Sequence, residues 1–326
     1  MALKVDVHAH LYPEPYIAEL DRLLVNPQTP EERLTWATLQ GKIKKNPAMW
    51  TLDERLELMD KLEVDYQALS VSIPQCYEGD AATRQRLATW CNDLYADVIA
   101  KRPKQFLAFA SLPLPDIDAS LKELERCIDQ LHFAGVCLGS NVKGKRYDDP
   151  HFAPLFDEID RRGLVVFFHP MTAACAAGQE DFNAVASLGY IFDTGLTVYR
   201  MLFSGMFDRY PNFKLIVPHL GGMLPYHIGR IEGAYKSNPA CQNIAHPPTE
   251  YLKELYYDVV SFYEPALHLA AQAFGTDHLL LGSDYPFGMG DIEMAVRSVQ
   301  AAFPQADQDK IFGENAQRLF PELASR

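Results

Sequence analysis

Two histidines one residue apart close the first apolar run of the chain, Leu3-Lys4-Val5-Asp6-Val7-His8-Ala9-His10. Side chains alternate along a strand, so His8 and His10 share one face while Val5 and Val7 take the other. Two imidazoles on one rigid face can grip a single divalent ion. The pattern recurs: His169 ends Leu164-Val165-Val166-Phe167-Phe168-His169, His219 ends Leu215-Ile216-Val217-Pro218-His219, and Asp284 follows Leu279-Leu280-Leu281-Gly282-Ser283. A lone histidine at a strand end is more often a satisfied core residue than a ligand; several converging ends argue otherwise. His8, His10, His169 and Asp284 form an N3O set for one divalent metal, zinc first, with manganese and iron as alternatives. Such a set leaves positions for water or substrate.

His219 has two readings, a fifth ligand or a general acid/base held beside the metal, since imidazole titrates near neutrality. The glycines after it, Gly221 and Gly222, open room at the floor of a site. Asp284 is a ligand and also a candidate base: one carboxylate oxygen can bind metal while the other takes a proton. Arg230, eleven residues past His219, is either a surface ion-pair partner or an anchor for a substrate carboxylate, because a guanidinium grips carboxylate through two hydrogen bonds. Phe168, Met171, Leu220 and Phe287 are the expected apolar walls, and Asp6 the expected support for a ligand histidine. The other six histidines have no ligand-like spacing.

These residues must be carried to one place. Eight strand-like runs lie near 3–8, 66–72, 105–111, 134–139, 164–169, 214–219, 255–260 and 278–283. Helix-period segments separate them, among them 53–63, 81–101 and 119–131. Eight alternations of strand and helix predict an α/β fold of the (β/α)8 TIM-like barrel type, whose active site lies at the C-terminal strand ends. A doubly wound sheet brings the first, fifth, sixth and eighth strand ends together less readily. Residues 12–51 form a long insertion after strand 1, rich in proline and carrying Lys42, Lys44 and Lys45, expected as a lid or substrate wall. A closing helix is expected over Lys310 to Leu319, and residues 1–326 read as one domain.

The 326 residues carry a net charge of −13, which argues against nucleic acid or an anionic membrane as partner. An acidic small molecule remains open, since a metal or a local arginine reverses the potential inside one cavity. The six cysteines form no Cys-x-x-Cys pair and suggest no disulfide framework. Cys175, just past His169, reads as a core or wall residue. No apolar stretch is long enough to span a bilayer, and the expected location is cytoplasmic.

His8-Ala9-His10, Phe168-His169-Pro170, His219-Leu220-Gly221-Gly222, Leu224-Pro225-Tyr226 with Gly229-Arg230-Ile231, and Leu281 to Phe287 with Gly313-Glu314-Asn315-Ala316 together resemble the amidohydrolase superfamily. They are most similar to its decarboxylating branch, the aminocarboxymuconate semialdehyde and resorcylate decarboxylase group. The resemblance implies a barrel with metal on His8, His10, His169 and Asp284, and His219 in proton transfer. It also implies a homo-oligomer, dimer or tetramer, in which Arg230 can reach a neighbouring subunit's site. The strand-four end, Leu138-Gly139-Ser140-Asn141, offers no lysine for a bridging carbamate, so one metal is expected. The expected activity is non-oxidative decarboxylation of an aromatic or unsaturated carboxylic acid. The alternative is hydrolysis of a lactone, amide or ester, or hydration, at the same metal. A non-catalytic metal sensor would predict a damaged ligand set, and all five polar positions are intact.

Overall fold

The apolar runs become eight parallel strands: β1 (Val5–His10), β2 (Tyr66–Ser70), β3 (Phe106–Ala110), β4 (Gly135–Gly139), β5 (Val165–His169), β6 (Lys214–Val217), β7 (Tyr256–Asp258) and β8 (Leu279–Leu280). The structure is a computed structural model and describes residues 3–172 and 178–324; Cys175 lies outside them. Each strand pairs with the next in sequence. The ring closes just past β8, where the Val7 N–H donates to the Leu281 carbonyl (2.9 Å) and Ala9 bridges to Tyr285. This is the expected (β/α)8 barrel.

Two apolar layers hold it together. Val7, Leu107, Phe109, Phe167 and Ile216 belong to an inner cluster fed by the strands. Alternate positions such as Val136, Phe168 and Val217 face a larger cluster shared with the helices. Strict alternation fails in β1. A register shift between Asp6 and Ala9 lets Val5 and Val7 join the inner cluster, although His8 and His10 still converge on the site.

The helix Ala81–Lys101 has the predicted bounds; Asp80 caps it by accepting from the Thr83 N–H (2.8 Å). The insertion folds into helices Glu14–Leu23 and Pro30–Gly41 and two short turns, with a Thr29/Glu32 capping box starting the second helix. It is pinned over the strand ends by Asn46 Nδ2 donating to the Pro286 carbonyl (2.8 Å) and Lys42 Nζ to Asn183 Oδ1 (2.9 Å). At the C-terminus, a wide turn over Lys310–Glu314 precedes a short helix, Asn315–Leu319. Leu319, Phe320 and Leu323 pack into the inner cluster. Among the described residues no helix is long and apolar enough to cross a membrane.

Candidate metal centre

His8 and His10 lie on the last half of β1, His169 is the last residue of β5, and Asp284 sits four residues past β8. Their donor atoms all lie within 4.8 Å of one another. His8 Nε2 is 3.1 Å from His10 Nε2, and Asp284 Oδ1 is 3.3 Å from the former and 3.1 Å from the latter. Donor atoms on one zinc ion, with bonds of about 2.0–2.2 Å, stand about 3 Å apart. The triangle therefore has the dimensions of one face of a coordination sphere.

The outer ring nitrogens fix which nitrogen is free. His8 Nδ1 meets Asp258 Oδ2 at 2.7 Å, His10 Nδ1 meets the Ser70 carbonyl at 3.3 Å, and His169 Nδ1 meets the Pro170 carbonyl at 3.0 Å. A hydrogen on each Nδ1 leaves each Nε2 lone pair for the ion. Ser72 Oγ also lies 3.0 Å from His169 Nε2.

Electrostatics agree. Burial drives His10 down to about 4 despite the Asp284 carboxylate facing it. Burial, with the neighbouring His10 and His8, pushes His169 well below the usual range. Burial would raise Asp284, but the charge on His8 and the imidazoles of His10, His219 and His8 facing it hold it well below the usual carboxylate range. Two neutral imidazoles beside an ionised carboxylate are what a divalent ion requires. For His8, burial opposes protonation, yet Asp258 and Asp284 outweigh it and raise the ring to about 10. The site thus favours a positive charge at its centre, and the four donors have the spacing and charge to hold one divalent ion together.

His219 stands outside that foursome. β6 stops at Val217, and His219, Leu220, Gly221 and Gly222 then run consecutively with φ of 53°, 57°, 76° and 60°. A histidine and a leucine held left-handed in succession are strained, a state that persists only where surroundings enforce it. Asp258 supplies part of the restraint: its Oδ1 accepts from the N–H groups of Val260 (3.0 Å) and Leu220 (3.4 Å). At Gly222 a Cβ would sit 2.6 Å from the Ile191 carbonyl oxygen. The turn presents His219 Nε2 3.8 Å from Asp284 Oδ2, the carboxylate oxygen turned away from His10, while the buried Nδ1 has no protein partner.

A cavity of about 800 Å3 opens above these groups. His169, His219 and Asp284 form its floor, Leu220 and Phe287 part of its wall, and Lys42 and Lys45 its lid side. Phe168 and Met171 do not line it, contrary to expectation. Phe167 and His169 take the inner face of β5, so Phe168 turns outward and stacks on Tyr147 (ring centres 5.4 Å apart). Met171 is buried over Gly139, at the end of β4. Arg230 is exposed on the helix Leu224–Ser237 and does not line this chain's cavity. Asp6 braces the backbone rather than a ring, accepting from the N–H of His8 (3.1 Å) and of Ser283 (3.0 Å).

Sequence reasoning passes over the carboxylate that does orient the His8 ring, Asp258. It ends Tyr256-Tyr257-Asp258, the seventh strand, in the same strand-end position as the residues that were singled out. Ser70 and Ser72, at the end of β2, carry a weaker form of that signal.

The family model described as Amidohydrolase matches residues 5–321. A 2-amino-3-carboxymuconate-6-semialdehyde decarboxylase of Dictyostelium discoideum is 33% identical over 272 residues, covering 82% of this chain and 76% of that protein. A 6-methylsalicylic acid decarboxylase of Aspergillus aculeatus is 31% identical over 338 residues, covering 98% and 97%. Among solved structures, a dihydroxybenzoic acid decarboxylase of Polaromonas sp. JS666, with bound manganese and 2-nitroresorcinol, has the same fold. Its TM-score is 0.84 at 24% identity, covering 98% of this chain and 97% of that one.

Proposed function

Because the chain belongs to the amidohydrolase family, we propose that it is a metal-dependent carboxy-lyase. It decarboxylates an aromatic or unsaturated carboxylic acid without an oxidant. One observation carries the mechanism. Asp284 directs Oδ1 to the histidine donors at 3.1 and 3.3 Å and Oδ2 to His219 at 3.8 Å, so one carboxylate joins the metal cradle to a proton-carrying imidazole.

When bound on His8, His10, His169 and Asp284, the ion supplies positive charge for the substrate carboxylate and the anion that develops as it leaves. The protein's own groups do the rest. His219 gives a proton to the carbon bearing the carboxylate. The bond from that carbon to the carboxylate then breaks, its electrons restore the conjugated system, and carbon dioxide departs. Asp284 Oδ2, 3.8 Å from Nε2, holds the imidazole in position. Leu220 and Phe287 keep water from the reacting carbon, which strengthens the local charges.

Zinc is the ion we assign first, from the nitrogen-rich donor set, with manganese and iron as alternatives. We further propose a homo-oligomer, dimer or tetramer. Support comes from the exposed Leu188, Phe192 and Leu196, spaced four apart, and from Tyr226 at the cavity mouth one turn before Arg230. Arg230 would then serve a neighbouring subunit's substrate. Among the described residues five free cysteines are all buried, consistent with a reducing, cytoplasmic setting.

The test is to incubate metal-loaded protein with hydroxybenzoates, carboxylated muconates and lactones and follow products by mass spectrometry. Loss of carbon dioxide from a substrate is expected. His219→Asn with its metal retained should abolish it, a drop of about 10²–10⁴-fold. Addition of water without loss of carbon dioxide would replace this reading with hydrolysis or hydration.

A further inference from the structure

Arg55 is fully buried, the largest such side chain in the barrel, and no carboxylate pairs with it among the described residues. Its guanidinium donates from Nη1 to Gln67 Oε1 (2.5 Å) and from Nη2 to the His10 carbonyl (2.5 Å), with the Ala48 carbonyl at 3.5 Å. It lies over the Tyr285 ring, 4.8 Å from the ring centre, and its Nε has no partner. Burial lowers its pKa to about 10. Removing a guanidinium from water costs several kcal/mol, and an apolar side chain of similar volume often serves stability as well or better. Neutral partners alone therefore give a poor stability reason for a cation here.

The contacts have the metal centre in common. One fork tooth holds the backbone of the ligand His10. The other holds Gln67, whose Nε2 donates to Asp6 Oδ2 (2.8 Å). Asp6 in turn accepts from the His8 N–H, the Ser283 N–H and the Ser283 hydroxyl (2.6 Å). Ser283 Oγ accepts from the Tyr285 N–H (3.1 Å), so the residues on both sides of Asp284 are held. Ala48 belongs to the last turn of the insertion, which is also tied to Pro286 through Asn46.

We propose that Arg55 is a positioning residue that sets the spacing of the β1 and Asp284 donors and locks the end of the insertion to them. The proposal rests on reading the four donors as a metal site. The planar fork presents one donor to Gln67 and another to His10 in a fixed geometry, which a flexible ammonium reproduces only in part.

The test is zinc affinity of metal-stripped protein, by competition with a chromophoric chelator, for wild type, Arg55→Met, Arg55→Lys, Gln67→Leu and the Arg55→Met/Gln67→Leu double variant. Circular dichroism and melting report the fold separately. Supporting residues behind metal ligands typically carry about 10–100-fold of affinity, and a loss in that range is expected for folded Arg55→Met. Arg55→Lys should recover only part. Gln67→Leu should weaken binding in the same direction, and the double variant should be no weaker than Arg55→Met, because both cut one chain of contacts. A merely structural arginine would lower the melting temperature and leave the affinity of folded protein unchanged; that result, or fully additive losses, overturns the proposal. Should Arg55→Met fail to fold, folded Gln67→Leu with wild-type affinity overturns it equally. Wild type that binds no divalent ion would instead refute the metal reading itself.

Discussion

Asp258→Asn isolates a carboxylate that fixes the His8 ring without belonging to the proposed donor set. Asp258 accepts on both sides: Oδ2 faces His8 Nδ1 at 2.7 Å, and Oδ1 faces the N–H groups of Val260 and Leu220. An amide has one acceptor and one donor, so both roles cannot survive. If its oxygen stays with the two N–H groups, its NH2 confronts His8 Nδ1. The ring then carries its hydrogen on Nε2, the nitrogen that faces His10 and Asp284. If the amide flips, the strained turn after His219 loses its anchor and faces a donor. Either way the lost negative charge removes one of the two attractions that favour a cation at His8. The expected cost is about 10–100-fold in metal affinity, or about 1.4–2.7 kcal/mol. Chelator competition on refolded, metal-free protein measures it, with circular dichroism as the control for folding. A folded Asp258→Asn variant that binds zinc as tightly as wild type would refute the tautomer argument.

Three further outcomes follow from the same geometry. In Gly282→Ala the new Cβ would meet Asp258 Cβ at 2.7 Å and His8 Cβ at 3.1 Å, so metal affinity should fall, by about tenfold or more, in the same titration. Phe168→Leu, on the outward face of β5, should cost about 1–2 kcal/mol in denaturant unfolding and leave KM unchanged, whereas Leu220→Ala at the cavity wall should raise KM. Stripping the metal with a chelator should lower thermal stability reversibly, since an ion at about a hundred times its Kd contributes about 2.7 kcal/mol; an unchanged melting curve after verified removal would contradict a structural share for the site.

The chain's local pattern determined much of this protein. Alternating apolar runs and helix-period segments specified the barrel, because strand and helix periods are properties of consecutive residues. Polar side chains at the ends of those runs marked His8, His10, His169, His219 and Asp284, since parallel strands in a barrel all end on one face. Other features depended on contacts between residues distant in sequence. Asp258 meets His8 across 250 residues, and Arg55 is hydrogen-bonded towards Asp6 through Gln67, so neither pairing has a local signature. Phe168 and Met171 look like wall residues because they flank His169, but inward and outward faces alternate along β5, and Met171 packs on the end of β4. The irregular register of β1 and the left-handed run from His219 to Gly222 were likewise decided by closure of the ring, where neighbouring strands and the Asp258 carboxylate impose backbone shapes that residue types alone do not favour.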